Sequence, residues 1–180
     1  MRAIRLAVAI AVMSSLAHAE DMAEMISHYR HEHGLSTVKT DPQLTAVAER
    51  QAKAMAASGI MDHSVAGSFA SRISGARTGM AAENIAAGTK TWAETFRMWQ
   101  ASPGHNANLL QAKADSVGVA VARNEQTRYK LFWAMVIADK SAKKKERKVA
   151  ASEMPEHRES VGTLENPLSA VKRFICKYVC

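Results

Sequence analysis

Residues 117–138 read VGVAVARNEQTRYKLFWAMVIA, and the fold turns on this stretch. Val117, Val119 and Val121 recur at every second position, the spacing of a strand with one apolar face. Asn124 to Thr127 reads as a turn. From Tyr129 to Ala138 the chain is apolar on both faces around Phe132 and Trp133, as expected of a strand buried inside a sheet. A short turn between two such runs predicts an antiparallel sheet.

Upstream, the period changes to that of helices. Met22, Met25, Ile26 and Tyr29 stand at i, i+3, i+4 and i+7 in a helix expected over 21–33 and ended by Gly34. Asp41-Pro42 opens a second helix, because Asp accepts from first-turn amides and Pro tolerates the first helical position. Leu44, Val47, Ala48, Gln51, Ala52 and Met55 mark one face of it, and Gly59 stops it. A Ser- and Gly-rich stretch over 62–79 reads as loop. A third helix is expected from Thr91 to Ala101, with Trp92, Phe96 and Trp99 forming a core stripe before Ser102-Pro103-Gly104 breaks it. Helices packed on an antiparallel sheet predict an α+β layered domain over residues 20–139. Such a domain of 120 residues buries roughly two thirds of its unfolded surface, enough to fold without disulfides.

The flanks are of other kinds. Arg2 and Arg5 precede an apolar run from Leu6 to Leu16, and Ala17-His18-Ala19 is a small-x-small site, so residues 1–19 are expected to be a cleaved export signal. The run is too short for a membrane span of about 20 residues, and the residue directly after Ala19 is Glu20, not a Cys that could carry a lipid. The net charge of +7 is unevenly spread: residues 20–139 hold 12 basic and 12 acidic side chains, and residues 140–180 hold 10 and 5. The body is therefore neutral and gives no reason to expect nucleic-acid binding. Residues 140–180 read as a basic, low-complexity tail with a charge run from Lys143 to Lys148. Asn166-Pro167 could start a short amphipathic helix with Leu168, Val171, Ile175 and Tyr178 on one side and Lys172, Arg173 and Lys177 around the other, suited to an anionic envelope surface. The two Cys, Cys176 and Cys180, can pair locally or link two chains, so monomer and Cys-linked dimer both stay open.

Three polar segments could carry chemistry: Met61-Asp62-His63-Ser64, Ala82-Glu83-Asn84-Ile85-Ala86-Ala87-Gly88, and Ser102-Pro103-Gly104-His105-Asn106-Ala107-Asn108-Leu109-Leu110. His63, Glu83 and His105 are groups of metal-ligand type, each expected at a junction between elements, where loops converge on clefts. Spacing leaves two readings open: a binding cleft, or a hydrogen-bonded cluster tying helix ends together.

The order Tyr29-Arg30, Gly34-Leu35, Asp41, Leu44, Met61-Asp62-His63, Arg72-Ile73, Ala82-Glu83-Asn84-Ile85-Ala86, Trp99 and Ser102-Pro103-Gly104-His105 to Asn108-Leu109-Leu110 resembles the bacterial branch of the CAP superfamily. That superfamily takes its name from cysteine-rich secretory proteins, antigen 5 and pathogenesis-related 1 proteins, and its module is also called the SCP domain. The resemblance covers residues 22–137 and implies an α-β-α sandwich with a central, mainly antiparallel sheet and a polar cleft. It places His63, Glu83 and His105 at the cleft, with Asn84 beside Glu83, and implies zinc or another divalent cation as a ligand of some members. The family's second acid falls at Ser68 here, which removes one carboxylate from the set. Asp62 is a poor replacement, because neighbouring residues of an extended loop point apart. His63, Glu83 and His105 would then offer three ligands and an open position.

Other catalytic patterns are absent. His31-Glu32-His33 is not His-Glu-x-x-His, and no Gly-x-Ser-x-Gly elbow or phosphate-cradling glycine loop occurs. The expected function is that of a secreted, non-catalytic binding module in the periplasm or outside the cell. Its cleft would hold a cation or an apolar or envelope-derived ligand. The alternative is a metal-assisted hydrolase of a peptide or cell-wall bond, using His63 or His105 as general base with Glu83 orienting it, or a metal-bound water.

Overall fold

The computed structural model describes residues 21–141, all of them within one compact unit. The expected export signal over 1–19, the tail from residue 142 on, and Cys176 and Cys180 lie outside the described residues. Among the described residues no helix is long and apolar enough to cross a membrane.

In chain order the elements are α1 (21–32), β1 (Lys39–Thr40), α2 (Pro42–Ser58), α3 (Phe69–Ile73), a 3-10 turn (Ser74–Ala76), β2 (Ala81–Ala87), α4 (Trp92–Ala101), α5 (Pro103–Leu109), β3 (Ser116–Arg123) and β4 (Leu131–Ala138). The four strands form one sheet in the order β1-β3-β4-β2. The β3–β4 and β2–β4 pairs are antiparallel, and the two-residue β1 runs parallel to β3. This is the mixed α-β-α arrangement expected from the sequence.

Strand β4 explains why the fold closes on it. It lies between β3 and β2, and successive side chains enter opposite layers. Phe132, Ala134, Val136 and Ala138 join Leu44, Val47, Ala48, Ala52 and Met55 of α2 on one face. Trp133, Met135 and Ile137 join Ile26 of α1, Phe96 and Trp99 of α4 and Leu109 of α5 on the other. Strand β3 follows the same alternation, with Val117 and Val119 buried beside Trp99, but Val121 at its far end is 44% exposed. The period was right, and the core ends one pair sooner than expected.

Helix α2 begins where Asp41 accepts from the Gln43 and Leu44 amides at 2.9 and 3.0 Å. It ends at Gly59, whose φ of 70° suits a residue without a Cβ. Gly118 in β3 lets α2 lie against the sheet: a Cβ there would stand 2.1 Å from the Thr45 nitrogen. Contacts continue just past residue 139. Lys140 pairs with Asp41 (Nζ to Oδ2, 2.6 Å), and its amide donates to Asp115.

Three expectations from the sequence need correction. Residues 81–87, where Glu83 was expected at a junction between elements, form the edge strand β2, so Glu83 and Asn84 stand on a strand. The neighbouring β4 supplies a full ladder that Ala-rich sequence does not announce. Residues 69–73, expected as loop, form the short helix α3. His105 sits inside α5, because Pro103 occupies the first turn of a new helix instead of ending the chain's helical course.

Candidate functional site

The site is built around the edge strand β2. Adjacent strand residues point to opposite faces, so Glu83 and Asn84 serve different layers. Glu83 shares the face that carries Ala81, Ile85 and Ala87 against α2 and the α3 segment. Asn84 reaches the opposite layer and meets α5.

On the first face, Arg72 of α3 grips Glu83 with both arms of its guanidinium. Nη1 donates to Oε2 at 2.5 Å and Nη2 to Oε1 at 3.0 Å. Both side chains are almost wholly buried, 3% and 2% exposed. A planar fork matched to a carboxylate is the strongest ion-pair geometry a protein has. Arg72 also donates to the backbone carbonyls of His63 (2.8 Å) and Gly67 (3.1 Å). Its own carbonyl accepts from Arg50 at 3.1 Å. The loop carrying His63 is thus wrapped around one guanidinium and fastened to α2, where buried Gln51 donates to the Asp62 carbonyl at 2.7 Å.

His63 completes this half. Its Nδ1 lies 2.8 Å from Glu83 Oε1. An ionised carboxylate only accepts, so Nδ1 is the nitrogen that donates here. The His63 side chain is 57% exposed, whereas Glu83 beneath it is sealed. Asp62 turns away and accepts from the Ser64 amide and hydroxyl, which hold its carboxyl below its ordinary range. Ser68 is not at the carboxylate at all. It caps α3, its hydroxyl accepting from the Ser71 amide at 3.2 Å.

On the opposite face, Asn84 is fully buried and donates to the His105 carbonyl at 3.0 Å. Asn108, one turn along α5, donates to Asn84 Oδ1 (2.8 Å) and to the Glu83 carbonyl (3.2 Å). Trp99 adds a bond from Nε1 to the Ile85 carbonyl at 3.2 Å. Carbonyls on the unpaired edge of β2 are thereby occupied by side chains, which protects an edge that would otherwise invite another strand. Tyr29 of α1 donates to Asn106 Oδ1 at 2.8 Å and ties the same end of α5 to the first helix.

His105 is the group left over. Its Nδ1 is buried without a hydrogen-bond partner among the described residues. Burial, and then the nearby His63, hold its imidazole below the ordinary histidine range, so it is neutral at pH 7.

Of the residues singled out in the sequence, the structure therefore joins His63 to Glu83 directly, and Asn84 to His105 through the latter's backbone. Ser68 has a capping role instead. Of the two residues that make the site what it is, Arg72 appeared in the sequence only as a member of a resemblance, and Asn108 also within the third polar segment. A buried Arg has no periodic signature. As arranged, His63, Glu83 and His105 offer a cation no uncommitted carboxylate. Among the described residues no group of three or more His, Cys, Asp or Glu is placed to hold a metal ion.

The family model described as "Cysteine-rich secretory protein family", CAP, matches residues 23–137. Among solved structures, an extracellular protein containing an SCP domain from Bacillus anthracis superposes with a TM-score of 0.58 at 23% identity. The match covers 68% of this chain and 40% of that one, so the chain spans two fifths of that protein. An outer surface protein from Borrelia burgdorferi gives 0.59 at 18% identity, covering 65% and 88%. The CAP domain of Enterococcal PrgA gives 0.52 at 17%, covering 68% and 60%. At these identities the likeness is one of fold. No sequence among curated proteins matches the chain.

Proposed function

The chain belongs to the cysteine-rich secretory protein (CAP) family, and from that premise we propose that it is an exported binding module that acts without catalysis. Its cleft runs along the β2 edge between His63 and His105 and takes a ligand from the cell envelope. The observation that carries this reading is the commitment of Glu83. A carboxylate that serves as general base must be free to accept a proton near its working pH, and this one is buried and bonded to Arg72 and His63. Glu83, Arg72 and His63 satisfy one another, as befits a scaffold that presents a surface. Export to the periplasm or beyond is supported by the leader-like residues 1–19 and by neighbours described as extracellular or outer-surface proteins. The basic tail fits attachment to an anionic envelope surface.

One observation favours hydrolysis as the second reading. The unpartnered, neutral Nδ1 of His105 is a group that can take a proton. A single experiment separates the two: incubate the purified chain with isolated envelope material, then measure both pelleting of the protein and release of soluble fragments. Pelleting that falls in His63→Ala and His105→Ala, with no fragments released, supports the binding module. Fragment release that His105→Ala abolishes would put the hydrolase first, and no pelleting with no release would end both.

A further inference from the structure

We infer that Arg72 takes, from within the chain, the place a metal ion would occupy at Glu83, so that the cleft is assembled and neutralised without metal. Three observations carry this. The first is charge. Ser68 is neutral, leaving Glu83 as the carboxylate of the cluster, and one guanidinium balances one carboxylate. A divalent ion would sit beside a buried Arg72 with a single negative ligand to offset both.

The second is geometry. Arg72 gathers the ligands a cation would gather: two carboxylate oxygens and the carbonyls of His63 and Gly67. The hydrogen bonds of the His63 loop thus converge on the guanidinium centre. The third is the way Arg72 is delivered. Ser68 caps α3, and the Arg72 amide bonds the Ser68 carbonyl at 3.0 Å, one turn on. The neutral residue at 68 therefore starts the very helix that brings in the replacement cation. With Glu83 2% exposed beneath it, the carboxylate also has no open side from which an ion could enter.

This inference does not depend on the binding-module reading, and the two fail separately. The test is a cobalt(II) titration of the full chain, followed by absorption and thermal midpoint. Exposed histidines such as His28 supply a background, so each protein is compared with its own controls. The native chain is expected to respond no differently from His63→Ala. Arg72→Met frees Glu83 and should acquire an additional site, with a cobalt-dependent rise in midpoint. Adding His63→Ala or Glu83→Gln to it should weaken that site about tenfold or more, since even outer partners of a metal matter to that degree. If Arg72→Met is unfolded without metal, cobalt should restore it. A native response that His63→Ala removes would overturn the inference. So would an Arg72→Met protein that gains nothing over its double variants, or one that cobalt fails to refold.

Discussion

His105 shows how one residue can link the cleft's electrostatics to stability. Its folded-state pKa is depressed by burial and by His63, whereas an unfolded histidine titrates near about 6.5. Below that value the unfolded chain binds the proton more readily, so this contribution to stability is present above the unfolded pKa and is lost as pH falls toward the depressed one. Urea unfolding at neutral and mildly acidic pH should show a loss of stability on acidification that is smaller in His105→Gln. Equal losses in the two proteins would contradict the assignment. Arg30 makes a second case. It is fully buried and donates to the carbonyls of Ser36, Leu109, Gln111 and Ala114, joining α1 to the loop after α5. Lysine cannot reproduce that fork, and Arg30→Lys should cost about 2–3 kcal/mol in denaturant unfolding through carbonyls left unpaired. Neither Arg30 nor Arg72 could be read as interior from the sequence, because arginine is ordinarily a surface residue and nothing in its neighbours' spacing says otherwise.

Among the elements, those with explicit punctuation were readable and those made by their neighbours were not. Helix α2 carries Asp41-Pro42 at one end, Gly59 at the other and a stripe apolar but for Gln51 between, and every residue of that stripe is buried. Asp41→Ala should cost about 1 kcal/mol for the cap, plus the pairing with Lys140, in thermal or denaturant unfolding. Strand β4 was evident because both faces are apolar over eight residues. Strand β2 was not, since Ala81-Ala82 and Ala86-Ala87 carry little strand preference and the ladder to β4 imposes the conformation. Helices α3 and α5, of five and seven residues, are too short to show a period. Gly118 tests the contact between α2 and β3 directly. A Cβ would stand 2.1 Å from the Thr45 nitrogen and 2.2 Å from the Leu44 carbonyl carbon, and helix backbone cannot give way as a side chain would. Gly118→Ala should lie at or beyond the upper end of the roughly 1–3 kcal/mol typical of overpacking. A loss below half a kilocalorie would mean that α2 sits farther from the sheet.

Across the described residues, the sandwich and the polar cluster have one origin. The sheet separates two apolar layers, and its edge strand β2 must dispose of a carboxylate, an amide and a row of backbone groups where the layers end. Arg72 and His63 settle Glu83 on one side; Asn108 and the His105 carbonyl settle Asn84 on the other. The layer order and the identity of His63, Glu83, Asn84 and His105 followed from sequence and resemblance, but the network that holds them depends on contacts between residues far apart in the chain. Its centre is the Arg72–Glu83 pair, and the measurement that tests it most directly is a double-mutant cycle by denaturant unfolding with Arg72→Met and Glu83→Gln. Breaking one side of a buried pair costs about 3–5 kcal/mol, so each single variant should lose that much. The double variant should lose far less than the two together, with a coupling of about 2 kcal/mol or more. Two losses that simply add, to within about 0.5 kcal/mol, would contradict an ion pair at the heart of the site.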